Sequence, residues 1–429
     1  MIILIPVLIF LLAIFSAWPE TMLYAVAFCL PIIDWNFSFQ GFTLPLADLV
    51  ALTALIAFSG RLLFQRLFKN AILVKINWPL LKPWLAFLAI ATLAAILSAN
   101  PLASLWYVVR WLILLYFAYI FLPYNLLTDG KRLKKTIIAL AISSLVVLVS
   151  GYLSLYGQDW RDSFFRIKSL SFFGIYPFGE NHNLTAEFLS VGAFMLLAWR
   201  EFSKDPRARR WCEVGFIFSA LAIVLTFSRA GWITLFLQLA IYAWYKLKGR
   251  QRLTGAFIAV GLLLIMSPFL WKMFELQQDN ISSTENRLLL AEISWQAFRE
   301  KPYLGYGPGE FINLVDKNLR FRAKYGAPLD SHGMFQKILA ETGLFGLAAW
   351  IFILIILLIK AGRALRLYYR DYPWILPLIL AAGGGLFFQI FNTSYYKGKV
   401  WLPVALSLAA IRLLDAKIEK AKQNSEIAK

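Results

Sequence analysis

Apolar runs as long as a membrane-crossing helix follow one another along almost the whole of this 429-residue chain. No other feature restricts its fold so severely. A helix needs roughly 20 apolar residues to cross a hydrocarbon core, or about 17 when short. Runs of that kind fall at 45–63, 79–98, 103–122, 135–156, 183–199, 212–227, 231–247, 253–271, 343–360, 374–391 and 400–414. Only 16% of the residues are charged, against about 25% in a soluble domain. Too few polar residues are left to coat soluble domains, so a string of them is excluded. Residues 2–34 are less regular, because Pro19 and Glu20 divide them into two pieces of marginal length. Proline removes a backbone donor and a carboxylate is costly in lipid, so a break is expected there, with one or two crossings. Residues 1–17 have no basic leader and no small-residue cleavage site, and read as a retained span. The expected fold is an all-α polytopic membrane protein of about 12 transmembrane helices.

The net charge of +19 would suggest nucleic acid in a soluble chain, but its placement points elsewhere. Segments 61–82, 124–135, 200–211, 246–252, 360–371 and 412–429 hold 27 of the 43 basic residues and 7 of the 24 acidic ones. They alternate with the remaining loops, so the positive-inside rule makes them cytoplasmic. Their charge then faces anionic membrane lipids, and no nucleic-acid partner is expected. On the opposite, non-cytoplasmic face lie residues 157–182 and 272–342. The second is too long to be structureless and reads as a helical loop folded over the bundle. The expected organisation is an N-terminal bundle at 1–271, this cap at 272–342, and C-terminal spans with a basic tail at 343–429. Cys29 and Cys212 sit in or beside apolar runs and make no disulfide framework.

A few polar residues stand out at the outer face. Arg229 interrupts two apolar runs in TFSRAGW. It is either an interfacial arginine reaching for headgroups or an anion site, where its planar fork of donors suits phosphate oxygens. Ser228 and nearby amides would add donors. Arg287 opens RLLLAEISWQAF, with Ala291 and Trp295 at helical spacing. It either turns inward with them or pairs in solvent with Glu285 or Glu292. His332, in PLDSHGMFQ, and His182, in GENHNL, are the only histidines, and each stands where the chain enters a span. A neutral imidazole there can take a proton from a hydroxyl; a capping or surface histidine is the alternative. Asp330 would orient the ring or cap the next helix. Asn183 beside His182 fits a helix start, and Arg161, Arg166 and Lys168 add positive charge to the 157–182 loop. The triplets Glu180-Asn181-His182 and Asp330-Ser331-His332 lack the spacing that sets two metal ligands on one helix face, so no metal or cofactor is expected.

These residues converge on a family. FSRAGW at 227–232, Arg287 followed by a tryptophan, KPYLGYGPGEF at 301–311 and DSHGMFQKILAETGLFG at 330–346 resemble, in order and spacing, the signatures of the O-antigen ligase and polymerase superfamily. NHNLTAEFL at 181–189 resembles that family's entry to an earlier span. Gly333 departs from the pattern, since Asn often follows the histidine there. The resemblance implies that Arg229 and Arg287 bind the pyrophosphate of an undecaprenyl-linked glycan and that His332 activates the acceptor hydroxyl.

The resulting expectation is a metal-independent, inverting glycosyltransferase of the bacterial inner membrane with its site facing the periplasm. Its donor would be an undecaprenyl-pyrophosphate-linked glycan and its acceptor lipid A–core. A repeat-unit polymerase, with the growing glycan as acceptor, is the enzymatic alternative. A flippase for lipid-linked glycans is the alternative of another class, although the repeat-related halves it calls for are not visible in the sequence.

Overall fold

The computed structural model describes residues 4–39, 42–68, 76–156, 158–159, 165–251 and 280–427. The expected span at 253–271 and the candidate Arg161 lie outside the described residues. The chain begins with α1 (Leu4–Ala17) and α2 (Glu20–Cys29), broken at Trp18-Pro19 where proline was expected to interrupt them. A short antiparallel hairpin, β1 (Asn36–Phe39) with β2 (Phe42–Pro45), is the one addition to an otherwise helical fold among the described residues. Its four-residue strands carry too little alternation to be legible beforehand.

Then come α3 (Leu46–Phe68), α4 (Leu81–Ile96), α5 (Pro101–Arg110), a π-helix (Trp111–Phe121), α6 (Leu122–Leu126) and α7 (Gly130–Leu153). Next are α8 (His182–Phe202), α9 (Pro206–Leu225) and α10 (Arg229–Lys246). After them stand α11 (Asn280–Glu300), α12 (Phe311–Lys317), α13 (Leu319–Tyr325), α14 (Met334–Tyr368), α15 (Ile375–Phe388) and α16 (Gly398–Ile427). Among the described residues, four segments are long and apolar enough to cross a membrane: α3, the continuous run Pro101–Leu126, α7 and α14. Helices α2, α4 and α15 are apolar but shorter.

The centre of the bundle is α8. Every residue from Thr185 to Ala198 is buried, as expected of a helix that is apolar all round. It packs against α7, α9, α10 and α15. Gly192 lets α7 come close, since a Cβ there would lie 1.6 Å from the Ser144 hydroxyl. In the same way Gly384 makes room for Gln238, whose amide donates to the Leu380 and Ser190 carbonyls at 2.9 and 3.1 Å and ties α10 to both neighbours. Arg110, costly at its depth, faces Asp48 at 3.4 Å, and Tyr119 donates to the same carboxylate at 2.8 Å.

Two glycine motifs act as one device. Helix α14 is kinked at Gly343, which has φ of +63°. The 301–309 loop lies in that kink: Leu344 N donates to Pro302 O at 2.8 Å and Gly307 N to Glu341 O at 2.8 Å. A Cβ at Gly343 would sit 2.4 Å from Tyr303 backbone, and one at Gly305 2.5 Å from Glu341 backbone. The GYGPG turn therefore docks the α11–α13 unit onto the bundle. That unit has its own small core of Leu289, Leu290, Ile293, Ala297, Phe311, Val315 and Phe321 against Ala340.

Candidate active site

The turn between α9 and α10 holds Arg229. Phe227 sits at φ of +54°, a left-handed conformation that is unfavourable for a bulky residue. Ser228 caps α10 by accepting from Gly231 N at 3.2 Å, and its hydroxyl donates to Asn183 Oδ1 at 2.6 Å. The serine is thus engaged in joining the N-terminus of α10 to that of α8, and Asn183 is its acceptor. Gly231 permits the approach, since a Cβ there would lie 2.9 Å from that of Ala186. Arg229, the first residue of α10, is thereby set beside the start of α8, half-buried.

His182 is the first residue of α8, capped by Asn181, whose side chain accepts from Asn183 N at 2.8 Å. The Arg166 Nη1 atom lies 3.4 Å from both ring nitrogens of His182. The loop that carries Arg166 is fixed by Gln158, whose side chain bonds Arg166 N and O at 3.2 and 3.3 Å.

Arg287 comes from the cap. Its helix α11 buries the face Leu289, Leu290, Ile293, Ser294 and Ala297, whereas Trp295 is exposed. The inward face is therefore one step away from the Ala291–Trp295 stripe that the spacing suggested. Neither anticipated carboxylate holds the arginine: Glu292 pairs with Arg320 at 3.2 Å, and Glu285 pairs with Lys324. Arg287 is half-buried, and its Nε has no hydrogen-bond partner among the described residues.

His332 precedes α14, in a segment clamped from both sides. On one side Asp330 accepts two bonds from Lys337 Nζ, both at 2.8 Å. On the other, Met334 N donates to Gln389 O at 2.9 Å. Asp330 thus faces Lys337, and the N-cap of α14 is Gly333 without a side-chain bond. A Cβ at position 333 would start 3.1 Å from the Ile390 carbonyl oxygen, so the glycine fits a tight seat. Lys337 was not anticipated. A lone lysine four residues before Glu341 in QKILAE, in a mostly apolar run, was the available signal.

Electrostatics join these elements. Burial first, and then the Arg229 charge, lower the pKa of Arg287. Burial, then Arg166 and Arg287, push the His182 imidazole down to about 3. Burial and then Arg287 lower that of His332, with Asp330 opposing. Arg287 therefore reaches Arg229, His182 and His332 at once, although the cap and the bundle are far apart in sequence. Crowded cations in a half-buried place favour neutral imidazoles and an anionic guest. The N-termini of α8 and α10, each the positive end of a helix dipole, add to the same field.

Comparison with known sequences places part of the chain beside a known family. The family model described as O-antigen ligase matches residues 214–351. That stretch contains Arg229, Arg287, Asp330 and His332, while Arg166 and His182 lie before it. No curated protein matches the chain. Over residues 214–351 the chain is therefore similar to the O-antigen ligase family.

Proposed function

We propose that the protein is a metal-independent, inverting glycosyltransferase with about twelve membrane crossings and its site on the periplasmic side of a bacterial inner membrane. It moves a glycan from undecaprenyl pyrophosphate to a hydroxyl of lipid A–core. The observation that carries this reading is the half-buried Arg287, whose Nε has no hydrogen-bond partner among the described residues and whose charge acts together with that of Arg229 and on His182 and His332. The charges of the cap arginine and of Arg229 at the start of α10 oppose one another, and an anion held between them would relieve that opposition. A pyrophosphate fits that need, because each guanidinium presents donors to its oxygens.

In the step itself, the acceptor oxygen attacks the anomeric carbon from the face opposite the leaving group. The carbon–oxygen bond to the pyrophosphate breaks, and undecaprenyl pyrophosphate departs held by Arg229 and Arg287. Their charge stabilises the diphosphate as it gathers electrons, and no metal is called for. His332 takes the acceptor proton. Its lowered pKa keeps the ring neutral and able to accept at neutral pH. Arg166 and His182 line the same mouth and support the donor's charge. The clamp of Lys337 on Asp330 holds the His332 segment in place.

The test is reconstitution. Purified protein is incubated with undecaprenyl-pyrophosphate glycan and either lipid A–core or glycan alone. Growth of lipid A–core supports the ligase reading. Extension of the glycan alone would assign a polymerase, and movement of intact donor between leaflets without transfer would assign a flippase.

A further inference from the structure

The segment between Arg166 and His182 has a feature that glycan transfer does not use. From Ile167 to Leu170 the chain lies against α7: Lys168 N donates to Ser154 Oγ, and Leu170 N to Ser150 Oγ, both at 3.2 Å. Those serines are four residues apart, so the chain descends about 6 Å along α7, back toward its basic N-terminal end. Ile167 is fully buried, with its Cγ2 where a Cβ of Gly151 would be 2.8 Å away, and its N–H donates to Leu225 O at 2.9 Å. On the return side, Pro177 O accepts from Ile33 N and Asp34 N at 3.0 and 3.2 Å. Both stems are therefore pinned to the bundle.

Between the stems is a two-residue hairpin. Phe172 and Ile175 exchange both backbone bonds, at 2.8 and 3.0 Å, around Phe173 and Gly174 with φ of +51° and +78°. Two positive φ values make this a turn of the kind that favours Asn or Asp followed by Gly. A phenylalanine occupies the first position instead, fully exposed, with Phe172 and Ile175 about half exposed beside it. The residue choice suits the surroundings of the side chain and not the backbone of the turn.

Depth identifies those surroundings. Helix α7 has 24 residues, about 36 Å, a few ångströms longer than a hydrocarbon core of about 30 Å. Ser150 is within one turn of its C-terminal end, so the hairpin leaves the bundle near the edge of the hydrocarbon. The neighbouring surface of α7 is lipid-like, with Ile142, Val146, Val149 and Leu153 all exposed. Lys168, exposed at the upper stem, stands about where acidic headgroups begin.

We propose that the Phe172–Ile175 hairpin is a membrane anchor whose phenylalanines insert among the acyl chains of the leaflet at the C-terminal end of α7. It would hold the strap between Arg166 and His182 at a fixed depth. Its value for positioning a polyprenyl donor rests on the transfer reading; the insertion itself does not. The test places a nitroxide on Phe173→Cys, and separately on Phe172→Cys, in a Cys29→Ser, Cys212→Ser background. The full chain is reconstituted in nanodiscs of phosphatidylethanolamine and phosphatidylglycerol. Ala323→Cys, exposed on α13, is the reference. At both hairpin positions, collisions with dissolved oxygen should exceed those with a water-soluble nickel chelate several-fold more than at Ala323. Equal ratios at the hairpin and at Ala323 would overturn the anchor even if glycan transfer is normal.

Discussion

Two polar clusters that meet along α8 are built on opposite principles. One lies along α8 below its start. Glu187, fully buried, accepts from Lys399 Nζ at 2.6 Å, Asn392 Nδ2 at 2.7 Å and Gln389 Nε2 at 2.8 Å. Each of its oxygens has a donor, and the charges of Glu187 and Lys399 cancel. The other lies at the start of the same helix, where Arg166, His182, Arg229, Arg287 and His332 gather as positive or protonatable groups, and where the carboxylate that acts on His332, Asp330, is held by Lys337. A balanced cluster is a means of joining α8, α15 and α16. A cluster rich in cations suits an anionic guest. Under the proposed function, the first cluster serves structure and the second serves the reaction, within a few turns of one helix.

The sharpest way to break the comparison is at His332. His332→Ala should lower transfer about 10²–10⁴-fold while leaving the melting temperature and donor binding near wild type. Near-normal product formation by a well-folded variant would remove the general base. In the balanced cluster the expectation reverses. Glu187→Ala leaves a buried lysine uncompensated and should cost about 3–5 kcal/mol of stability. Glu187→Gln with Lys399→Met, which removes both charges, should recover much of that loss in chemical-denaturation curves. If the single variant melts like wild type, the cluster is not the joint described here.

Smaller effects sharpen the contrast. Arg229→Lys and Arg287→Lys keep the charge and lose the planar fork, so each should reduce transfer about tenfold or more, the equivalent of one or two charge-assisted bonds. Unchanged kinetics in both would argue against bidentate phosphate contacts. Lys337→Met should lower kcat with little change in donor binding, since it frees the Asp330 end of the His332 segment.

The smallest effect is the pH response. In the proposed reaction His332 acts as a neutral base, and its pKa is lowered from the usual 6.5, so activity should persist as pH falls through 6.5 and decline only below it. The same sign holds for stability. Since His182 sits at about 3, its contribution is complete above 6.5 and is lost progressively as pH falls from there toward 3. His182→Gln should flatten the stability profile between pH 6.5 and 5; an unchanged slope would count against a buried neutral ring.

Much of this was legible in the sequence. Apolar runs located α3 to α10 and α14 to α16, because burial in lipid leaves a continuous signature. Arg229, Arg287 and His332 stood out because charge is rare beside such runs. What the sequence concealed depends on pairing across distance. The inward face of α11 is set by its packing on Phe311, Val315 and Phe321, which periodicity of one helix does not reveal. Lys337 is unremarkable until Asp330 is seen to face it. The GYGPG turn gains meaning only against the kink at Gly343, and Ser228 proves to be a joint to Asn183 and not a spare donor.

The central claim is that the unbalanced cluster is a pyrophosphate site formed when the cap brings Arg287 to Arg229. It is tested most directly by measuring the melting temperature with and without undecaprenyl pyrophosphate, for wild type and for Arg287→Gln. The account predicts that the lipid raises the wild-type melting temperature, that undecaprenol without the pyrophosphate does not, and that Arg287→Gln loses most of the shift. An equal rise with undecaprenol, or an undiminished shift in Arg287→Gln, would contradict it.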